Sequence, residues 1–121
     1  MSRPLLDESR LHPAIRDTVE HLHAEVVHNV QAASMSNAVL VVGMAGNPFC
    51  KRARKALDAA AVPHHYLEYG SYLSQWRERL ALKMWSGWPT FPLVFVKGVL
   101  IGGASDLATL IESGELKRLL A

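Results

Sequence analysis

A chain of 121 residues, half of them apolar and a fifth charged, has room for one domain with one core and none for a second catalytic domain. Thirteen Lys and Arg against eleven Asp and Glu leave a net charge of +2, too small an excess for the basic stripe that binds nucleic acid. One cysteine excludes an internal disulfide, no apolar run approaches the roughly 20 residues of a membrane span, and Met1–Arg10 lacks an export signal, so a cytoplasmic protein is expected.

Residues 1–12, MSRPLLDESRLH, have no period and read as a loose arm. From Pro13 onward Ile15, Val19, Leu22, Val26, Val30 and Ala33 step by three or four, which predicts one amphipathic helix ending near AASMSN. Its single apolar stripe favours docking onto its own domain over oligomerisation, and the oligomeric state stays open.

AVLVVGM, residues 38–44, is a nearly continuous β-branched run and reads as a central strand buried on both faces. Asn47 offers a helix N-cap, Pro48 suits the first helical position because it has no N–H to leave unpaired, and FCKRARKALDAAA supplies the helix. VPHHYLEY, 62–69, reads as a second strand, and LSQWRERLALKMW, 73–85, as a helix with Leu73, Trp76, Leu80 and Met84 or Leu82 inward.

PLVFV and VLIGG flank Lys97-Gly98, the pattern of an antiparallel hairpin with a two-residue turn. ASDLATLIESGELKRLLA closes the chain as a helix with Ser105 or Asp106 near its cap, then a short further turn after Gly114. After the first helix the order is β-α-β-α-β-β-α. A right-handed parallel crossover followed by a hairpin gives an α/β fold, a four-stranded mixed sheet with helices on both faces.

Cys50 falls in the first turn of its helix, where the backbone dipole and Lys51, Arg52 and Arg54 favour a thiolate. A lone cysteine is equally a small buried hydrophobe, and both readings stay open at this point. His21 and His28 share a helical face and His64-His65 are adjacent, but neither spacing is a zinc signature and no metal site is expected. Trp85 and Trp88 serve either as loop anchors or as an exposed platform.

RLALKMWSGWPTFPLVFVKGVLIGGASDL, Arg79 to Leu107, resembles the monothiol glutaredoxin family, in which an Arg-x-x-Leu-Lys-x-aromatic-Ser-x-Trp-Pro-Thr-x-Pro run precedes the hairpin and a Gly-Gly-x-x-Asp turn follows it. The resemblance implies the thioredoxin-like fold over residues 38–121, with 1–37 as an N-terminal arm and extra helix outside it. It further implies a cis Phe91–Pro92 bond whose backbone pairs with the cysteinyl part of glutathione. Ser105 and Asp106 are implied to hold the γ-glutamyl group, and Arg79 and Lys83 to lie near the glycyl carboxylate.

Aligned through the helix, the family's catalytic loop falls on Asn47, Pro48, Phe49 and Cys50, so the nucleophile's position is Asn. An amide cannot form a thiolate, attack a disulfide or ligate iron, so a shared 2Fe–2S cluster is not expected. The family's Lys after the first strand is replaced in MAG, Met44 to Gly46, and its Gln after the cis-Pro is Leu93. The expectation is a redox-homeostasis or iron–sulfur-system protein without catalysis, a module binding glutathione or a protein partner. The alternative is a glutathione-dependent thiol-disulfide oxidoreductase using Cys50.

Overall fold

The structure, a computed structural model, describes residues 4–121; Met1–Arg3 and the side chains of Glu8, Val19 and Glu20 lie outside the description, and with them the part of the arm and of the helical face assigned to those residues. Four strands form one sheet in the order β2-β1-β3-β4: β1 (Val39–Gly43), β2 (His65–Glu68), β3 (Leu93–Val96) and β4 (Val99–Gly102). β1 runs parallel to β2 and antiparallel to β3, and β3 pairs antiparallel with β4. This is the mixed sheet that the element order predicts.

Every residue of β1 is buried, because alternate side chains enter two separate cores. Leu40 and Val42 join Val26, Val30, Leu82, Leu93 and Phe95 on one face, under α2 (Ala24–Ser36) and α4 (Trp76–Ser86). Val39 and Val41 join Ala53, Leu57, Val94, Leu107 and Leu116 on the other, under α3 (Pro48–Ala59), α5 (Ala104–Glu112) and α6 (Glu115–Leu120). Lys97 at φ 49° and Gly98 at φ 81° make the tight turn between β3 and β4, both in the left-handed region that a right-twisting hairpin favours.

Three expectations need correction. The helix predicted from Pro13 is two, α1 (Pro13–His21) and α2, broken where His23 adopts φ 45°. That break leaves Ile15 half exposed, buries Val26 and Val30 against the sheet, and brings His23 Nδ1 to 3.6 Å from Glu78 of α4. Of the apolar stripe of α1, Ile15 joins neither core. The arm likewise is not wholly loose: a 3₁₀ turn over Glu8–Arg10 is held by Asp7, whose Oδ1 accepts from Ser9 N–H at 2.9 Å.

The third correction concerns the phase of α4. Leu73, Trp76, Leu80 and Met84 are exposed by 96, 58, 42 and 47 %, and the buried positions are Arg79, Ala81 and Leu82. Apolar residues occur nearly all round this helix, so periodicity admits two inward faces. Two anchors choose between them: Arg79 Nη1 donates to the carbonyls of Tyr69 (2.9 Å) and Ser74 (2.6 Å), and Trp85 stacks at 6.0 Å on Phe95 of β3. Among the described residues, no helix is long and apolar enough to cross a membrane.

Candidate functional site

The C-terminal end of β1 opens into the turn Met44–Gly46 and then α3, and its cap is the side chain of Asn47. Asn47 Oδ1 accepts from Phe49 N–H at 2.8 Å and from Cys50 N–H at 3.2 Å, while the Asn47 carbonyl takes Lys51 N–H at 3.3 Å. Pro48 has no N–H, so the first turn of α3 is left with no free backbone donor. Asn47 itself is 8 % exposed.

α5 begins in the opposite condition. Its N-cap is Gly103, which has no side chain to accept a hydrogen bond, and Asp106 Oδ2 turns back to accept Gly103 N–H at 3.0 Å. The N–H groups of Ala104 and Ser105 have no intrahelical acceptor and no cap side chain at the positive end of the helix, a ready seat for a carboxylate. Ser105 and Asp106 are both exposed.

Between these two helix starts lies a cleft of about 260 Å³. The Phe91–Pro92 bond is cis, as the resemblance implies, and both residues line the cleft. Gly103 to Asp106 form one wall, Trp88 and Thr90 another, and Phe49, half exposed, closes the α3 side. Lys83 sits at the margin with Nζ 5.7 Å from the Phe91 ring centroid. Phe91, Pro92, Ser105 and Asp106 are thus brought together, with Lys83 beside them.

Arg79 is not among them. Its guanidinium is buried and held by the two carbonyls of the loop before α4, so Arg79 adds no free cation beside Lys83. Phe49, Trp88 and Thr90 line the cleft without having been singled out as binding residues. The signal for Phe49 lay in its place between the cap and the first turn, and for Trp88 and Thr90 in the same run as the cis-Pro. Trp88 Nε1 is buried with no hydrogen-bond partner among the described residues, and Trp85 is the anchoring tryptophan.

Cys50 is 2 % exposed, packed beneath Gly43 and the Tyr66 ring. Burial pushes its thiol above the ordinary value of 9.0; a backbone hydrogen bond from Met44 and the charge of Arg54 oppose this, and Glu68 adds to it. The buried, inert reading of this cysteine therefore describes the geometry better than the thiolate reading does. A 2Fe–2S cluster does not fit the donor set either, since an amide stands at position 47 and the one thiol is enclosed. No group of three or more His, Cys, Asp or Glu side chains converges as a metal site among the described residues.

Two measurements follow from the enclosed thiol. At pH 7.5 alkylation of Cys50 is expected to run at least about tenfold slower in the folded protein than after denaturation, since it requires local opening. On the alkaline side, the unfolded chain gives up its thiol proton first. Stability is therefore unaffected by Cys50 below the ordinary value of 9.0 and falls as pH rises from there towards the raised folded value. Cys50→Ala should remove that first decline and leave the later one from Tyr66 and Tyr69, whose hydroxyls burial also pushes up.

Comparison with known proteins places these features. A family profile described as Glutaredoxin matches residues 39–101. A glutaredoxin-like protein of Dictyostelium discoideum is 43 % identical over 102 residues, which cover 84 % of this chain and 83 % of that one. Monothiol glutaredoxin-4 of Schizosaccharomyces pombe is 31 % identical over 96 residues, 76 % of this chain and 39 % of that longer protein. The crystal structure of oxidized glutaredoxin 2 from Chlamydomonas reinhardtii superposes with a TM-score of 0.69 at 31 % identity, covering 80 % of this chain and 92 % of that one.

Proposed function

Because the chain belongs to the glutaredoxin family, we propose that it is a member that binds glutathione without turning over disulfides, working as a binding module of redox homeostasis rather than as an oxidoreductase. The observation that carries this reading is the contrast between the two helix starts. The start of α3 is closed by Asn47 and holds no thiolate, whereas the start of α5 is open, flanked by Asp106 and joined to the cis-Pro segment by a continuous cleft. A zwitterionic amino-acid head group fits there: Ala104 and Ser105 N–H face its carboxylate, and Asp106 faces its ammonium. In this reading residues 38–121 are the functional domain and 1–37 an extension added to it, in a reducing compartment such as the cytoplasm, where an unpaired thiol is stable.

Calorimetric titration with reduced glutathione tests it. Saturable binding is expected, weakened at least about tenfold by Asp106→Asn, which removes the charge while leaving an oxygen to accept Gly103 N–H. Absence of heat from the unsubstituted protein would sink the binding reading. Reduction of a glutathione mixed disulfide well above the uncatalysed rate, lost in Cys50→Ser, would replace it with the enzymatic one.

A further inference from the structure

Beside the cleft, and unused by it, the first two turns of α3 carry Lys51, Arg52, Arg54 and Lys55, four of the thirteen cations of the chain within five residues. All four are exposed, none is in an ion pair among the described residues, and α3 has no acidic residue in its first turn. Like charges three and four residues apart on a helix repel, so the pairs Lys51 with Arg54, Lys51 with Lys55 and Arg52 with Lys55 each cost stability. The arrangement is one that folding alone does not favour.

The geometry points to a docking surface for an acidic, extended polypeptide segment of a protein partner. Lys51, Arg52 and Lys55 line a shallow depression of about 350 Å³ against Pro48. Lys51 and Lys55 stand on one helical face about 6 Å apart along the axis. Carboxylates at alternate positions of an extended chain repeat at about 6.6–6.8 Å, so a Glu-x-Glu segment can meet both. A compact phosphate is poorly served, because Asn47 already takes the Phe49, Cys50 and Lys51 N–H groups and the charge is carried by side chains alone. A long polyanion is poorly served by a patch this short on a chain of net charge +2.

The Arg52 guanidinium lies 5.2 Å over the Phe49 ring, and Phe49 walls the cleft, so a segment docked here ends at the cleft mouth.

The test is fluorescence anisotropy with a labelled peptide of alternating Glu and Ser at low ionic strength, on the full chain. Lys51→Glu with Lys55→Glu should weaken binding at least about tenfold, while Lys97→Glu with Lys117→Glu, an equal change of net charge elsewhere, should leave it within about twofold. The first pair should melt no lower than the parent protein, since it turns the repulsion of position 51 with Arg54 and of position 55 with Arg52 into attraction, so lost binding does not reflect unfolding. Equal affinity in the two pairs would overturn the proposal. So would equal affinity for a Gln-for-Glu peptide, or tighter binding of an oligothymidylate of matching charge. Asp106→Asn should not change peptide binding, whichever way the glutathione titration falls.

Discussion

Arg79→Ala should lower stability by about 2–4 kcal/mol, and its neighbour one turn on, Lys83→Ala, by no more than about 0.5 kcal/mol. Arg79 is buried, and its Nη1 alone holds the Tyr69 and Ser74 carbonyls that bracket the loop between β2 and α4. Truncation leaves both without their charged donor and empties the space of a long aliphatic stem. No other group replaces it: the N-cap of α4 is Gln75 at φ 51°, whose side chain makes no cap bond. Arg79→Lys should recover only part of the loss, because a point charge cannot span two carbonyls as a guanidinium does.

The readout that separates the two residues is ligand affinity. Lys83, half-buried beside the Phe91 ring, is expected to weaken glutathione binding several-fold when removed while the melting temperature barely moves. Arg79→Lys should do the reverse: a lower melting temperature and unchanged affinity per folded molecule. An affinity loss in Arg79→Lys equal to that in Lys83→Ala would return Arg79 to the binding site.

The second large effect is a gain. Asn47→Cys is expected to raise thiol-disulfide exchange on the order of 100-fold over the parent protein at pH 7. The two N–H groups that now bond Asn47 Oδ1, at 2.8 and 3.2 Å, would instead face a sulfur at the positive end of α3, with Lys51 one residue beyond the first turn's Cys50. Helix-start thiols of this kind ionise in the range of about 3.5–7.5, so a far larger thiolate fraction stands at neutral pH than for a buried thiol such as Cys50. The substitution also removes a good cap, for a cost of about 1 kcal/mol, so the gain should come with a modest fall in melting temperature. A glutathione-coupled disulfide reduction assay reads it directly. No gain in a folded variant that still binds glutathione would mean that a cysteine at position 47 is not sufficient for exchange on this chain.

Much of this is legible in the amino-acid sequence. Strand β1 could be read because a continuous run of branched residues suits only a position covered on both faces, and the structure buries every residue of it. The cap at Asn47, the start at Pro48 and the turn at Lys97-Gly98 depend on backbone chemistry within a few residues, so local sequence carries them whole. The cis bond at Phe91–Pro92 came with the family resemblance, not with any local pattern. What failed to show was orientation. WRERLALKMW offers apolar residues on two faces, and nothing inside the helix says which one the sheet will accept.

The break at His23 was hidden for a related reason: the step of three and four from Ile15 to Ala33 runs through it unbroken, with no Gly or Pro to mark it. By itself, then, the sequence determined the order of elements from β1 onward, the amide at position 47 and the chemistry available at each helix start, since these depend on residue type and near neighbours. Only the tertiary structure decided that Cys50 is enclosed, that Arg79 braces a loop instead of facing the cleft, and that the first helix bends into two. Each of those turns on which side chain reaches a partner distant in the chain. That is settled by the fit of helices on the sheet and by the buried carbonyls that must be paired.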